Sequence, residues 1–143
     1  MLKVKIAETP AEKEQAFDVR RKVFVEEQGV PLHIEMDEYD DSATHFVGFN
    51  LEQPIAAARI RETEAGIGKI ERVCVLPEYR GQHVGVLMMN EMEEYAKTAG
   101  LFTLKLNSQS YAIPFYEKLG YDVSSPEFLD AGIPHRAMVK NIM

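Results

Sequence analysis

The sequence predicts a single α+β domain. Two observations support this prediction: the predicted elements follow the order β-α-β-β-β-α-β-α-β, and three of the strands are consecutive, as in an antiparallel meander. The 143-residue chain has no internal repeat, low-complexity stretch or linker. We therefore expect residues 1–143 to share one hydrophobic core.

The first half of the chain begins with an alternating strand, LKVKIA. Thr9 can cap the helix that follows, because Pro10 suits its first turn and Glu12 can complete a capping box. We expect this helix to run over about 10–28 and to end at Gly29. After an acidic, turn-rich segment, three apolar runs predict the meander: ATHFVGFN, PIAAARIRE and KIERVCVL.

The second half contains the second main helix, predicted over 80–99 and ended by Gly100. It is followed by a strand, LFTLKLN, a short helix within SYAIPFYEKLG and a strand-like tail, HRAMVKNIM. Helical spacing places a largely apolar set of residues on one face of the long helix: Val84, Leu87, Met88, Glu91, Tyr95 and Ala99.

Charge and composition exclude several classes of function. The chain has 16 Lys and Arg against 23 Asp and Glu, a net charge of −7, and no basic patch, so we expect no nucleic-acid or membrane partner. Its start has no apolar signal region, and no window approaches the roughly 18 apolar residues of a membrane span, which predicts a cytoplasmic protein. Cys74 is alone, no histidines have metal-ligand spacing, and we expect no metal.

The stretch RGQHVG resembles a phosphate-binding loop. A P-loop is excluded because no Gly-Lys-Ser/Thr occurs, and the glycines of the turn EAGIG lie between two strands, unlike a dinucleotide fingerprint. A third arrangement fits, in which a strand ending in V-x-P leads through R-G-x-x-x-G into a helix. The free N–H groups of a first helical turn bind a pyrophosphate without a lysine. The residues concerned are Val75, Pro77, Arg80, Gly81 and Gly85.

Two motifs resemble signatures of the GNAT superfamily of N-acyltransferases. VLPEYRGQHVG is similar to the family's acyl-CoA-binding motif, and IPFYEKLGY to its second signature, F-Y-x-x-x-G-[FY]. The resemblance covers nearly the whole chain. It implies a mixed central sheet of about six to seven strands flanked by helices on both faces, with acetyl-CoA as co-substrate and a small-molecule amine as acceptor. Because dimers are common in the family, the question of whether this chain forms a homodimer stays open.

His83 stands where the family has its middle glycine. In a left-handed conformation a non-glycine residue would cost about 1–2 kcal/mol, whereas in the first turn of the helix His would cost little. In both cases the backbone N–H survives, so we expect the loop to hold the pyrophosphate.

The resemblance also implies a cofactor site built on the third meander strand. Backbone groups of Val73 and Val75 are implied to pair with the pantetheine arm, with the Val75 N–H facing the thioester oxygen. The implied cofactor-binding residues are Val73, Cys74, Val75, Arg80, Gly81, Gln82, His83, Val84, Gly85, Gln109, Phe115 and Tyr116.

Two side chains are candidates for proton transfer. The resemblance places Tyr116 beside the sulfur as the acid that protonates the leaving thiolate, although a helix tyrosine could equally serve only in packing. Glu71 is the candidate base, because many GNAT enzymes have a glutamate on this strand. The two-residue period puts it on one face with Val73 and Val75, but it could instead be half of a surface ion pair.

A second group of charges is predicted around Arg20, which the helical spacing places on an apolar face where it needs a partner. The available groups are Asp37, Asp40 and Arg59, with Asp41 beside them. Two interpretations stay open: a polar network on the substrate side, or a structural network joining helix to sheet. His135 is a further substrate-side candidate, in addition to Arg20, Asp37, Asp40 and Arg59.

These patterns lead to three hypotheses. The first is an acetyl-CoA-dependent N-acetyltransferase that acts by direct attack of a small amine in a ternary complex. The second is a longer-chain acyltransferase, because the R-x-x-x-F, D-x-x-D and later Arg run partly resembles acyl-homoserine-lactone synthases, whose expected tryptophan is absent here. The third is a non-catalytic module that senses CoA.

Overall fold

A mixed sheet of eight strands organises the fold. The computed structural model describes residues 1–143. The strands are β1 (Leu2–Ile6), β2 (Thr44–Asn50), β3 (Gln53–Glu64), β4 (Ile67–Val75), β5 (Thr103–Gln109), β6 (Asp122–Val123), β7 (Phe128–Asp130) and β8 (Ile133–Asn141). Their order in the sheet is β1-β2-β3-β4-β5-β8-β6, with β7 paired to β8. The helices are α1 (Pro10–Arg20), α2 (Leu32–Glu35), α3 (Val84–Thr98) and α4 (Ile113–Lys118).

The predicted meander is confirmed, because β2, β3 and β4 pair antiparallel in sequence order. Strand β5 is parallel to β4, as expected for two strands joined through a helix. Their pairing begins at Ile67 with Thr103 and ends at Ile70 with Leu106, although both strands continue. The sheet therefore opens between the second halves of β4 and β5.

Two helices cover opposite faces of the sheet. On one face, Phe17 of α1 makes an edge contact with His45 of β2; on the other, Tyr95 of α3 makes an edge contact with Phe46. Adjacent strand residues point to opposite faces, so α1 and α3 lie on different sides. No helix is long and apolar enough to cross a membrane.

The first helix follows its prediction in part. The capping box at Thr9 and Glu12 is confirmed, and Gly29 follows in a left-handed conformation with φ of 75°. After Arg20, however, the chain continues as a π-helical segment, Arg21–Glu27. The sheet has eight strands rather than six or seven, because the short and exposed β6 and β7 carry too little pattern to be predicted.

The buried face of α3 is rotated by part of a turn from the predicted one. The helix begins at Val84 rather than at 80, and Leu87 and Glu91 are exposed. Gly48 of β2 leaves room for Met88, since a Cβ there would lie 3.2 Å from its sulfur. The buried residues of the helix are Val84, Met88, Met89, Met92 and Ala96.

Candidate active site

A cavity of about 720 Å³ lies where β4 and β5 separate. One end is formed by the loop before α3 and by α4. The other end is formed by the π-helical segment and α2 on the β4 side, and by the turn between β7 and β8 on the β5 side. The cavity therefore extends through the opening in the sheet, from the N-terminus of α3 to a chamber on the α1 side. The walls of this chamber contain both polar and apolar side chains.

Most of the residues predicted to bind the cofactor line this cavity. Gln82 does not, because its side-chain amide turns back and donates to the carbonyl of Glu78 at 3.3 Å. The residues that line it are Val73, Cys74, Val75, Arg80, Gly81, His83, Val84, Gly85, Gln109, Phe115 and Tyr116.

His83 adopts the left-handed conformation, with φ of 63° and ψ of 16°, at the N-cap of α3. The structure therefore selects the first of the two alternatives for this residue. Gly81, two residues earlier, has φ of 79° and open space around it. Gly85 is restricted for another reason, because a Cβ there would lie 3.0 Å from the Phe115 ring. The histidine thus occupies a left-handed position immediately before α3, and phosphate binding by this loop stays a prediction.

Arg80 is held from two sides. Its terminal nitrogens donate to both carboxylate oxygens of Glu27 at 2.7 Å, and its Nε donates to the carbonyl of Val75 at 3.0 Å. The hydrogen bond from Arg80 lowers the pKa of Glu27. Glu27 ends the π-helical segment, so this ion pair fastens the segment to the loop before α3.

A β-bulge at Arg72, where φ is 61°, changes the alternation of β4. Glu71 pairs with Arg59, and Val75 pairs with Ala56. Because Arg59 and Ala56 are three residues apart in β3, Glu71 and Val75 point to opposite faces. The prediction that they share one face is therefore wrong, since the two-residue period does not continue through a bulge.

Glu71 lines the cavity but is held by cations. Arg61 Nε lies 2.7 Å from its carboxylate, Arg59 Nη2 lies 3.0 Å away and Lys69 Nζ lies 3.5 Å away. Burial alone would raise the pKa of Glu71, but the hydrogen bond from Arg61 and the charge of Arg59 outweigh it and hold the pKa below its usual value. The contacts of Glu71 match the ion-pair interpretation. Its role as a general base stays a prediction.

The charged residues around Arg20 do come together. Its guanidinium contacts Asp40 at 2.7 Å, and Arg59 contacts Asp40 at 2.8 Å and Asp37 at 2.6 Å. Both guanidinium side chains are 0% exposed. None of these four residues lines the cavity, so the structure places them behind its wall, where they join α1 to the sheet.

One member of this network was missed by sequence reasoning. Glu35, 1% exposed, accepts from Arg20 Nε at 2.7 Å and from Nη2 at 2.9 Å. Its backbone carbonyl and that of Ile34 accept hydrogen bonds from Arg72, which fixes α2 over the bulge of β4. No local pattern pointed to Glu35, because it lies 15 residues from Arg20 in a different element.

Tyr116 and Cys74 are two nearly buried side chains of the cavity lining. Tyr116, on α4, is 9% exposed and packs edge-on against Phe115 and Tyr121. Burial raises its pKa. Cys74 is 5% exposed, points toward the carbonyl of Ala57, and burial raises the pKa of its thiol to about 12.

His135 and Gln109 are opposite residues of β8 and β5, so their side chains share a face. Gln109 donates to the side-chain oxygen of Gln28 at 2.9 Å, which identifies that face as the one covered by the π-helical segment. His135 is 9% exposed, stacks on Phe128, and its Nδ1 lies 2.6 Å from the carbonyl of Ile133.

His45, in contrast, is a core residue. It is 1% exposed, its Nε2 lies 2.8 Å from the carbonyl of Asp40, and its Nδ1 is buried with no partner. The structure contains no group of three or more His, Cys, Asp or Glu residues arranged to hold a metal ion.

Comparison with known proteins places this architecture in a family. The family described as the acetyltransferase (GNAT) domain matches residues 8–142. The N-acetyltransferase YjcF of Bacillus subtilis is 44% identical over 141 residues, which cover 98% of this chain and 100% of YjcF. A Lactobacillus plantarum protein assigned to the N-acetyltransferases superposes with a TM-score of 0.93, 28% identity and 99% of each chain covered. Escherichia coli ElaA superposes with a TM-score of 0.87 over 99% of this chain and 100% of ElaA, and at 23% identity it shows the fold alone.

Proposed function

The chain belongs to the GNAT acetyltransferase family, and from that premise we propose that it transfers the acetyl group of acetyl-CoA to the amine of a small molecule. The observation that supports this proposal is the continuous cavity between the N-terminus of α3 and the opening between β4 and β5. Residues 1–143 act as one acyltransferase domain, and we propose the cytoplasm as its compartment.

The phosphate end of the cofactor belongs at the start of α3. Backbone N–H groups of the first turn and the positive end of the helix dipole attract a pyrophosphate, and His83 keeps its N–H. The loop from Arg80 to Gly85 would hold this group. Arg80 is already paired with Glu27, so the backbone N–H groups would supply the main contacts to the pyrophosphate.

The reacting end belongs in the opening between β4 and β5. There the strands no longer pair with each other, which leaves backbone groups of Val73 and Val75 for the pantetheine amides and the thioester oxygen. Tyr116 is the proposed acid for the leaving thiolate. Burial keeps its hydroxyl protonated. The same dry surroundings raise the pKa of the CoA thiol beside it, so proton transfer from Tyr116 to the thiolate is less unfavourable.

Direct attack by the amine fits the state of the single cysteine. An acyl-enzyme on cysteine would need a thiolate, but Cys74 is buried and its thiol has a pKa of about 12. Its sulfur also points toward a carbonyl of β3. The proposed route is therefore direct attack of the amine on the thioester, with both substrates bound together.

Calorimetric titration with acetyl-CoA, followed by a thiol-release assay over a panel of primary amines, tests this function. We expect one saturable site and amine-dependent release of CoA. Hexanoyl-CoA in the same assay separates an acetyltransferase from a longer-chain enzyme. Absence of heat and of a thermal shift at millimolar acetyl-CoA would refute the proposal, and binding without turnover over the panel would favour a CoA sensor.

A further inference from the structure

The incoming amine must lose a proton, and the geometry restricts where the accepting group can lie. Tyr116 belongs to α4, which packs with α3 against the other side of the opening. The free chamber lies on the α1 side, where Lys105 and Asn107 of β5 are exposed because α1 does not extend over this part of the sheet. An acceptor entering from this chamber meets the residues of β4 and β8 that point to this face.

The titratable side chains of β4 and β8 that line the cavity on this face include Lys69 and Cys74 as well as Glu71 and His135. Lys69 is a cation beside Glu71, and the Cys74 thiol points toward the carbonyl of Ala57, which leaves Glu71 and His135 as the candidates. Glu71 is bound by Arg59, Arg61 and Lys69, so its lone pairs are already shared with three cations. A carboxylate in that setting is a weak proton acceptor. Three of the remaining charged groups of the cavity are paired: Glu35 with Arg20, Arg72 with the carbonyls of α2, and Arg80 with Glu27. The other two, Lys118 of α4 and Asp130 at the end of β7, are exposed to solvent.

His135 lines the cavity and has one ring nitrogen with a free lone pair. The carbonyl of Ile133 can only accept a hydrogen bond, so Nδ1 of His135 carries the ring proton and Nε2 is the free acceptor. Phe128 stacks on the ring with an interplanar angle of 21°, which fixes its plane. The ring shares its face with Gln109, whose amide is itself held by Gln28.

We infer that His135 is the general base of the acetyl transfer, an inference that rests on the proposed function. The ammonium of the acceptor gives one proton to Nε2 of His135, and the ring passes it to solvent. The freed nitrogen lone pair attacks the thioester carbon, and the C–S bond breaks. The second proton leaves the new amide nitrogen through solvent, while the thiolate takes a proton by way of Tyr116. The net products are the acetamide, CoA and one released proton.

His135→Asn tests the inference, because the Asn amide can still donate to the carbonyl of Ile133 while the Nε2 lone pair is lost. We expect kcat to fall by about 10²- to 10⁴-fold, with the affinity for acetyl-CoA within twofold of wild type. The acidic limb of the pH profile of kcat/KM should disappear. His33→Asn, a change at an exposed residue of α2 outside the cavity, is the matched control and should leave all three quantities unchanged.

Two results would overturn the inference while leaving the proposed function intact. One is a His135→Asn enzyme that keeps kcat within threefold of wild type. The other is an acidic limb that survives in His135→Asn but is lost in Glu71→Gln, which would make Glu71 the base. A wild-type enzyme that binds acetyl-CoA but transfers to no amine would refute the proposed function, and this inference with it.

Discussion

Arg20 and Glu35 form a completely buried ion pair beside the cavity, and Glu35 is part of the cavity lining. Two parallel hydrogen bonds of 2.7 and 2.9 Å join them, and their side chains are 0% and 1% exposed. The pair connects α1 to α2, and α2 in turn covers the bulge of β4 through Arg72. The position of the chamber therefore depends on a buried charge, Arg20, that does not line it.

Removing one partner of this pair should be costly. We expect Glu35→Gln to lower the free energy of unfolding by about 3–5 kcal/mol, because it leaves the Arg20 guanidinium buried with only part of its countercharge. Urea denaturation at neutral pH measures the change. Glu14→Gln, which breaks an exposed contact with Arg21, is the control and should change the free energy of unfolding by less than about 0.5 kcal/mol. Equal effects of the two variants would contradict the buried-pair argument.

Substitutions at two positions of the loop before α3, Gly81 and His83, should change the free energy of unfolding in opposite directions. His83→Gly should raise the free energy of unfolding by up to about 1 kcal/mol, because glycine relieves a left-handed strain of about 1–2 kcal/mol but loses more entropy on folding. Gly81→Ala should lower it by about 1–2 kcal/mol, since its φ is 79° and nothing compensates in the open space around it.

Chemical denaturation of both variants, with acetyl-CoA titrations alongside, provides the measurement. We expect His83→Gly to bind acetyl-CoA, because the backbone N–H at this position is unchanged. A His83→Gly protein less stable than wild type would mean that the imidazole makes a contribution larger than the backbone strain.

The local parts of this structure could be predicted from the sequence. The capping box at Thr9 and Glu12 and the stop at Gly29 depend on residues within one or two turns, and all three are found in the structure. The meander likewise follows from short apolar runs with turn residues between them. The loop before α3 was recognised for the same reason, since its residues are contiguous; its binding of a phosphate stays a prediction.

The predictions that failed concern features set by contacts between segments far apart in the sequence. The bulge at Arg72 reverses the face of Glu71 relative to Val75, and nothing in KIERVCVL marks it, because the left-handed residue there is an arginine rather than a glycine. The partner of Arg20 in α2 and the contact of Gln28 with Gln109 join segments far apart in sequence. Periodicity describes one element at a time and carries no information about such pairs.

Tyr116 provides a prediction about the chemical step. Tyr116→Phe should lower kcat by about 10²-fold or more while the affinity for acetyl-CoA stays within twofold, because only the hydroxyl that protonates the thiolate is removed. The control is Tyr121→Phe, a change at an equally buried tyrosine whose ring touches that of Tyr116. It should leave kcat unchanged. Unaltered turnover in Tyr116→Phe would remove this residue from the mechanism.

His45 provides a prediction about stability and pH. Burial lowers its pKa below the ordinary value of 6.5, and the nearby guanidinium groups of Arg20 and Arg59 act in the same direction, while the Asp40 carbonyl and charge oppose them. The folded protein therefore keeps the ring neutral, whereas the unfolded chain takes up a proton near pH 6.5. The stabilising contribution is present above that pH and is lost as the pH falls below it.

We expect the free energy of unfolding to decrease as the pH is lowered from 6.5, with a slope of at most about 1.4 kcal/mol per pH unit from this one ring. His45→Gln keeps a donor for the Asp40 carbonyl and removes the titration, so its curve should be flatter between pH 6.5 and 5. Asp40, whose pKa is lowered to about 2, titrates in a separate, more acidic range. Parallel curves for the two proteins would show that the unpartnered Nδ1 accepts a proton without loss of stability, which its burial among guanidinium groups argues against.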